Sequence, residues 1–131
     1  MLPTLEKKQI ELDIIIKDLT LAIDIDINLV EQVLINLLIN AVEAVKDNEQ
    51  PRIILSAEAQ NNKTIIKVSD NGVGMSAELV DKIFIPFFST RKTGSGIGLS
   101  LCKQIMLLHK GNIQVQSAEG KGSVFMLQFS I

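Results

Sequence analysis

The sequence predicts an α+β fold, a two-layer α/β sandwich in which helices cover one face of a mixed, mostly antiparallel sheet. Segments rich in β-branched residues, typical of strands, occur near both ends and in the middle of the chain. Two longer segments with apolar residues at helical spacing separate them. With 131 residues and no internal repeat or linker, the chain is expected to form a single domain, residues 1–131.

Two strands and a helix are predicted in the first part of the chain. Ile10–Ile16 is rich in β-branched residues, and Leu21–Ile27 alternates apolar and polar side chains as a half-buried strand does. Helical spacing then runs from Leu29 to about Lys46. Asn28 is expected to cap this helix, and Glu31 three positions later completes a capping-box-like start.

A hairpin and a short helix are predicted in the middle of the chain. Arg52–Ala59 and Lys63–Ser69 have strand composition and flank an Asn61-Asn62 turn. Ser76 is expected to cap a helix that continues through Ile83 and ends before the next proline.

The last part of the chain predicts a second long helix and a closing pair of strands. The helix spans Ile97–Leu108, and Gly111 is its expected C-terminal stop. The strands Asn112–Ser117 and Ser123–Ile131 are joined by a turn at Glu119–Gly122.

Composition narrows the possible functions. Apolar residues make up 47% and charged residues 21%, which is typical of a folded globular protein. A net charge of −2 with no Trp or Tyr argues against nucleic acid as a partner and against direct contact with a membrane. The single cysteine, Cys102, fits a reducing compartment and is expected to be a buried structural thiol.

No uninterrupted apolar run has spanning length, and no signal-peptide pattern precedes the first strand. A cytoplasmic location is therefore expected, either alone or as a piece of something membrane-attached.

A polar stripe follows the first long helix. Gln32, Asn36, Asn40, Glu43 and Asp47 recur at spacings of three or four and therefore share one face. Amide oxygens suit Mg²⁺, a hard cation that keeps several waters and takes phosphate oxygens as further ligands. A polar surface stripe on an ordinary amphipathic helix is the alternative, and on this helix alone it is the commoner explanation.

The turn Asp70–Gly74 follows a predicted strand. A carboxylate at Asp70 can accept a hydrogen bond from an adenine amine, while Gly72 and Gly74 let the chain pass close to the ring. A β-hairpin turn is the alternative, because Asn-Gly is a strong hairpin signal. A helix start at Ser76, rather than a returning strand, weakens that alternative.

A second glycine-rich turn, Gly94–Gly98, opens the second long helix. Its glycines free the N–H groups of a helix N-terminus, where anions are favoured. It lacks the preceding strand and the Lys-Ser/Thr of a Walker loop, and no βαβ unit surrounds it, so neither a P-loop nor a dinucleotide fold is indicated.

Between the two glycine turns lies the segment Lys82–Lys92. Its aromatic residues could anchor a lid over a nucleotide, and Arg91 or Lys92 could reach phosphates. A hydrophobic hinge that packs on the core is the alternative.

Together these motifs resemble the ATP-binding domain of sensor histidine kinases. That domain has the Bergerat fold, shared with gyrase, the mismatch-repair MutL proteins and the ninety-kilodalton heat-shock chaperones. The likeness runs from about Asp26 to Ile131. The family's asparagine, first glycine, phenylalanine and second glycine boxes match Asn36–Ala44, Asp70–Met75, Phe84–Arg91 and Gly94–Leu101.

The resemblance implies a site for Mg-ATP. Asn40 is expected to ligate Mg²⁺ with support from Asn36, Asp70 to read adenine, and the second glycine box to wrap the phosphates. Ile85 departs from the family, whose closest branch often has an acidic residue there. The nucleotide contacts carried over are Asn36, Asn40, Asp70, Gly72, Gly74, Phe88, Thr90, Arg91, Lys92, Gly94, Ser95, Gly96, Ile97, Gly98 and Leu99.

Asn36 favours phosphoryl transfer to histidine over hydrolysis. In the hydrolysing relatives, and in the serine-phosphorylating anti-sigma kinases, a glutamate at this position is the general base. An amide cannot accept that proton, whereas a histidine acceptor already carries a free lone pair. Glu43, on the same stripe, could stand in as a base.

The phosphoacceptor is not expected within this chain. His109, the only histidine, ends a helix, where a structural cation next to the helix dipole is the simpler interpretation. The resemblance implies an acceptor on a dimerisation hairpin, of this or a partner kinase, and a response regulator as the partner of the full-length kinase. Without that hairpin the chain is expected to be monomeric.

Three other functions remain open. They are a standalone serine kinase of the anti-sigma type, a Bergerat-fold ATPase that hydrolyses ATP unaided, and a nucleotide-binding module without activity.

Overall fold

The architecture is a five-stranded sheet with helices packed against it. The computed structural model describes residues 10–16, 26–86 and 98–130. In chain order the elements are β1 (Glu11–Ile16), α1 (Ile27–Val45), β2 (Arg52–Gln60), β3 (Lys63–Asp70), α2 (Ala77–Val80), α3 (Gly98–Leu108), β4 (Asn112–Ala118) and β5 (Gly122–Ser130).

The sheet has the strand order β1-β2-β3-β5-β4. β1 runs parallel to β2, and the other neighbouring pairs are antiparallel. The turn between β2 and β3 has positive φ at Asn61 (52°) and Asn62 (62°), as a tight primed hairpin turn requires. The predicted α+β class and mixed, mostly antiparallel sheet are confirmed.

The core lies between one face of the sheet and the helices. Leu37 and Val33 of α1, both fully buried, pack in the same cluster as Ile53, Val68 and Leu127 of the sheet. Residues of the opposite parity point to the other face, which carries the ion pairs Arg52–Asp13 (2.6 Å) and Lys67–Glu58 (3.8 Å).

By length and composition α1 could cross a membrane, with a mean hydropathy of 1.3, although we expected no segment of spanning length. Its buried residues recur at helical spacing and form part of the core: Val30, Val33, Leu37, Ala41, Val42 and Val45. We therefore interpret α1 as the core helix that carries the polar stripe on its remaining face.

Two predictions about the start of α1 were wrong. The cap is Asp26, whose Oδ1 accepts the backbone N–H groups of Asn28 (3.0 Å) and Leu29 (3.2 Å). Asn28 is inside the helix because Asp26 already satisfies the first free donors. Ile27 is helical, so the strand predicted for Leu21–Ile27 does not reach it, and residues 21–25 lie outside the described residues.

α2 ends earlier than predicted, whereas α3 ends at Leu108 as predicted. Ser76 caps α2 as expected, but the helix stops at Val80, because the backbone then closes i→i−3 bonds such as Lys82 N–H to Leu79 O (2.9 Å). At the end of α3 the left-handed residue is Lys110 (φ 57°), not Gly111. The Gly111 N–H bonds to the Met106 carbonyl (2.8 Å), which completes a Schellman motif.

Candidate functional site

The loop Asp70–Gly74 lies where β3 ends and is fixed by its own backbone. The Val73 N–H donates to the Ala44 carbonyl in the last turn of α1 (3.1 Å). The Val73 carbonyl accepts the N–H of Gly120, from the β4–β5 turn (2.7 Å). The loop is therefore tied to a helix on one side and to a hairpin turn on the other.

Asn71 ties the same loop to the segment before β2, a role that sequence reasoning did not detect. Its side-chain Oδ1 accepts the N–H of Arg52 (2.8 Å), and its Nδ2 donates to the Gln50 carbonyl (2.9 Å). The Asn48 side chain in turn donates to the Asn71 carbonyl (2.7 Å). The amide of Asn71 thus acts as a backbone-like partner for the start of β2.

Gly72 and Gly74 are required by the protein's own packing. A Cβ at Gly72 would lie 2.3 Å from the Ala44 carbonyl oxygen, and one at Gly74 would lie 1.9 Å from that of Ala118. Gly74 also has a φ of +68°, which favours glycine. We expected these glycines to bring the chain close to a ligand, and the structure adds that they let the loop contact α1 and β4.

Asp70 presents a half-buried carboxylate at this end of the sheet. Its Oδ1 accepts the N–H of Gly72 (2.9 Å), and the carboxylate also accepts the backbone N–H of Ser123. Burial raises the pKa of Asp70 above its usual range, while these two hydrogen bonds oppose the shift. The backbone therefore fixes the orientation of a carboxylate acceptor.

A hydroxyl pair supports the loop from β4 and β5. The Ser117 Oγ accepts the N–H of Met75 (2.7 Å), donates to the Gly122 carbonyl (3.1 Å) and lies 2.7 Å from the Ser123 Oγ. Ser117 and Ser123 are partners in the β4–β5 register. The predicted turn at Glu119–Gly122 was the sequence signal from which this pairing could have been inferred.

The polar stripe belongs to α1, the helix whose last turn contacts the Asp70–Gly74 loop through the Ala44 carbonyl. Asn36, Asn40 and Glu43 are half-buried, while Gln32 and Asp47 are exposed. Glu43 forms an ion pair with Lys46 (2.7 Å), whose pKa is raised chiefly by the hydrogen bond from its ammonium to this carboxylate. The Glu43 carboxylate, which could stand in as a base, is therefore already paired with the Lys46 ammonium.

The start of α3 contacts this stripe. A Cβ on Gly98 would lie 3.7 Å from the Oδ1 of Asn36, which is ordinary van der Waals contact. The neighbouring Leu99 packs against the core. The other predicted contacts of this region lie outside the described residues: Phe88, Thr90, Arg91, Lys92, Gly94, Ser95, Gly96 and Ile97.

The donor set limits how a metal could be held. Within residues 10–16, 26–86 and 98–130, no group of three or more His, Cys, Asp or Glu side chains could hold an ion. The amides of Asn36 and Asn40 offer neutral oxygen ligands instead. Such a set fits Mg²⁺, which takes few protein ligands and completes its shell with water and phosphate oxygens.

Cys102 is a free, fully buried thiol, as predicted. Burial raises the pKa of Cys102 to about 11, opposed by a hydrogen bond with the Asn36 side chain. The thiol is therefore protonated near neutral pH and unsuited to nucleophilic chemistry.

His109 has a structural position, but not as the cation that we expected. Its Nε2 accepts the backbone N–H of Asp26 (2.9 Å), so this nitrogen carries no proton. Its Nδ1 must then be the protonated one, and it donates to the Ile105 carbonyl (2.8 Å). The ring also meets Phe129 edge-on, with centroids 6.3 Å apart. A neutral imidazole therefore joins the end of α3 to the start of α1.

Comparison with known proteins identifies the family. Residues 25–131 match the sequence profile of the histidine kinase-, DNA gyrase B- and HSP90-like ATPases. Over 105 residues the chain is 41% identical to the signal transduction histidine-protein kinase AtoS of Escherichia coli strain K12, covering 80% of this chain and 17% of AtoS. Over 120 residues it is 38% identical to the sensor histidine kinase ZraS of the same strain, covering 92% of this chain and 25% of ZraS.

Solved structures agree with this result. The nucleotide-free catalytic domain of the histidine kinase ThkA superposes with a TM-score of 0.87 at 33% identity, covering 98% of this chain and 83% of that one. ThkA in complex with the response regulator TrrA superposes with a TM-score of 0.82 at 31% identity, covering 98% of this chain and 36% of that one.

The chain spans 17% and 25% of the lengths of AtoS and ZraS, and it superposes on the ThkA catalytic domain almost throughout. Membership of this ATPase family implies ATP binding. The chain belongs to the histidine kinase-, DNA gyrase B- and HSP90-like ATPase family, and its fold is that of a histidine kinase catalytic domain.

Proposed function

We propose that this chain binds Mg-ATP and transfers the γ-phosphoryl group to a histidine on a separate dimerisation hairpin, as part of a two-component sensor kinase. The observation that carries the proposal is the Asp70 carboxylate, half-buried and oriented by the N–H groups of Gly72 and Ser123. Such an acceptor suits the exocyclic amine of adenine, since it can read one donor at a fixed place.

The remaining roles are assigned along α1 and α3. Asn40 holds Mg²⁺ with support from Asn36, and bound Mg²⁺ supplies neutralisation of phosphate charge. The residues of the second glycine box, up to Gly98 and Leu99, donate backbone N–H groups to phosphates, as a helix N-terminus can. Phe88, Thr90, Arg91 and Lys92 are assigned to the nucleotide on the motif match alone. Catalysis then consists of positioning and charge neutralisation rather than covalent chemistry.

Two observations favour transfer to histidine over hydrolysis. Asn36 occupies the position at which hydrolysing relatives carry a base, and an amide cannot accept a proton from water. Glu43, the other candidate base, forms an ion pair with Lys46. An acceptor that already has a free lone pair avoids the need for either group.

The acceptor histidine is assigned to another segment or subunit. His109 is the only histidine of the 131 residues, and both of its ring nitrogens are hydrogen-bonded. A response regulator is proposed as the downstream partner of the full-length kinase, because ThkA was solved in complex with one. We propose that the domain works on the cytoplasmic side, where ATP is available.

The test is a calorimetric titration of Mg-ATP into the wild type, Asp70→Asn and the exposed control Asp81→Asn, with phosphate release measured in the same samples. We expect Asp70→Asn to bind about 10- to 100-fold more weakly, roughly 1.5–3 kcal/mol, because the adenine amine loses its charged acceptor. The control should bind as the wild type does, and turnover should be negligible.

Two outcomes would contradict the proposal. Steady phosphate release by the isolated chain would indicate an unaided ATPase. Equal affinity of Asp70→Asn and Asp81→Asn would remove Asp70 from the nucleotide site.

A further inference from the structure

We propose that Asn48, a residue outside the four motif boxes, is a positioning residue for the Asp70 carboxylate. It acts through the peptide unit between Asn71 and Gly72, which it holds from the side opposite to Asp70. The inference rests on the proposed function for its effect on nucleotide binding. Its effect on the peptide unit does not depend on any ligand.

Asn48 is anchored just beyond the last turn of α1. Its backbone N–H donates to the Val45 carbonyl (2.9 Å), which ties the residue to the end of the helix. Its side-chain Oδ1 accepts the N–H of Gln50 (2.9 Å). Because an N–H group requires an acceptor, this bond identifies the oxygen of the amide and leaves Nδ2 as the donor. The Nδ2 then donates to the Asn71 carbonyl (2.7 Å).

The peptide unit between Asn71 and Gly72 is held at both of its polar groups. Its carbonyl accepts the hydrogen bond from Asn48, and its N–H, which belongs to Gly72, donates to the Asp70 Oδ1 (2.9 Å). A trans peptide unit is planar, so its C=O and N–H point in opposite directions and turn together. By fixing the carbonyl, Asn48 therefore fixes the direction from which the Gly72 N–H reaches the Asp70 carboxylate.

The two hydrogen bonds of the Asn48 side chain serve different segments. The bond from Oδ1 supports the turn before β2, and the bond from Nδ2 supports the loop after β3. Asn48→Asp keeps the acceptor but puts an oxygen in place of the donor to Asn71. Asn48→Ala removes both groups. Effects that the two variants share are therefore due to the lost donor, and Asn112→Ala, an exposed change on β4, is the control.

The first measurement uses the nucleotide-free protein. The backbone amide of Gly72 is followed by ¹H–¹⁵N NMR, and Asp70→Asn shows where its resonance lies without a carboxylate acceptor. We expect both Asn48 variants to shift the Gly72 resonance toward that position and to speed its exchange with water, whereas Asn112→Ala leaves it unchanged. An unchanged Gly72 amide in both Asn48 variants would overturn the proposal, whatever the chain does with ATP.

The second measurement compares two nucleotides by calorimetry. They are Mg-ATP and the magnesium complex of purine riboside triphosphate, which is ATP without the 6-amino group. Each Asn48 variant is expected to bind ATP about two- to fivefold more weakly, because one exposed hydrogen bond that orients the carboxylate is lost. The affinity for the analogue should not change. The charge introduced by Asn48→Asp acts on the same phosphates in both nucleotides, so it cancels in the ratio of the two affinities.

This ratio separates positioning from a general structural role. In the Asp70→Asn background, Asn48→Ala should leave the ratio unchanged, because Asn48 acts through Asp70. An equal loss of affinity for both nucleotides, or the same fall in the ratio in both backgrounds, would contradict the proposal. A wild type that does not prefer ATP to the analogue would instead contradict the adenine contact of the proposed function.

Discussion

Two parts of the site are built in different ways. The loop Asp70–Gly74 is held by backbone hydrogen bonds to α1, to the β4–β5 turn and, through Asn71, to the start of β2. The stripe Asn36–Glu43 projects side chains from a helix whose backbone is satisfied without them. At the loop, the groups that fix the fold also orient the carboxylate. Along the stripe, the polar side chains can change while the helix remains.

This difference predicts how substitutions divide between stability and binding. Changes in the loop should affect both, because the same contacts serve both. Changes on the stripe should affect binding alone, since α1 is stabilised by its buried face. Changes at the far end of α1 should affect stability alone.

The largest effect is expected at Gly74. Gly74→Ala places a Cβ 1.9 Å from the Ala118 carbonyl oxygen at a φ of +68°, and we expect a loss of about 2–4 kcal/mol in the free energy of unfolding. Gly120→Ala is the matched control, because Gly120 has a φ of +78° with no atom within 4 Å. It should cost only about 1 kcal/mol. Similar losses in urea unfolding of the two variants would show that steric contact does not fix the loop.

On the stripe, Asn40→Ala should separate binding from stability. We expect Mg-ATP affinity to fall about tenfold, because an oxygen ligand for Mg²⁺ is removed. The free energy of unfolding should change by no more than about 0.5 kcal/mol, since Asn40 lies on the polar face of α1. Calorimetry and urea unfolding on one preparation measure both quantities. A large loss of stability would mean that the stripe supports the fold as the loop does.

Local patterns in the sequence predicted the fold because they report on local physics. Strand composition located β1–β5 to within one residue, and the Asn61-Asn62 pair located a hairpin turn. The errors occur where a competing local group satisfies the same donors, as Asp26 does in place of Asn28. They also occur where the backbone forms i→i−3 hydrogen bonds instead of the i→i−4 bonds of an α-helix, as it does after Val80.

For the candidate site, the sequence predicted residue types but not the contacts among the surrounding elements. Asp70, Asn36 and the glycines were identified from motifs, whereas several contacts that hold the surrounding elements together join distant segments. The His109–Asp26 hydrogen bond joins residues 83 positions apart. The bond from Cys102 to Val33 joins residues 69 positions apart. Hydrophobic periodicity and turn signals describe residues that are close in the sequence. They therefore cannot predict such pairs, which form only when the elements pack together.

The far end of α1 offers a smaller test of the same comparison. Asp26→Ala removes the acceptor for two backbone N–H groups and should lower the free energy of unfolding by about 1 kcal/mol. Asn28→Ala, the change at the cap that the sequence suggested, should be neutral within about 0.5 kcal/mol. Neither should alter Mg-ATP affinity. A larger loss from Asn28→Ala than from Asp26→Ala would contradict the cap seen in the structure.

Asp70 is expected to affect both stability and nucleotide binding. The pH dependence of the free energy of unfolding measures what its buried charge costs. Burial raises the pKa of Asp70 in the folded protein above its unfolded value. Its contribution to stability is therefore complete below the unfolded pKa and is lost as pH rises through the folded pKa. Asp70→Asn cannot ionise, so the nucleotide-free variant should be more stable than the wild type near neutrality. Because the carboxyl is only half-buried, solvent screening limits the gain to at most about 1 kcal/mol.

Urea unfolding of the nucleotide-free proteins at neutral pH and at a series of lower pH values measures this gain. The difference between Asp70→Asn and the wild type should shrink as the carboxyl becomes protonated. A variant that is less stable than the wild type at neutral pH would mean that the hydrogen bonds from Gly72 and Ser123 outweigh desolvation. The same variant binds Mg-ATP more weakly under the proposed function, so a gain in stability with a loss of affinity would identify Asp70 as a residue kept for its ligand.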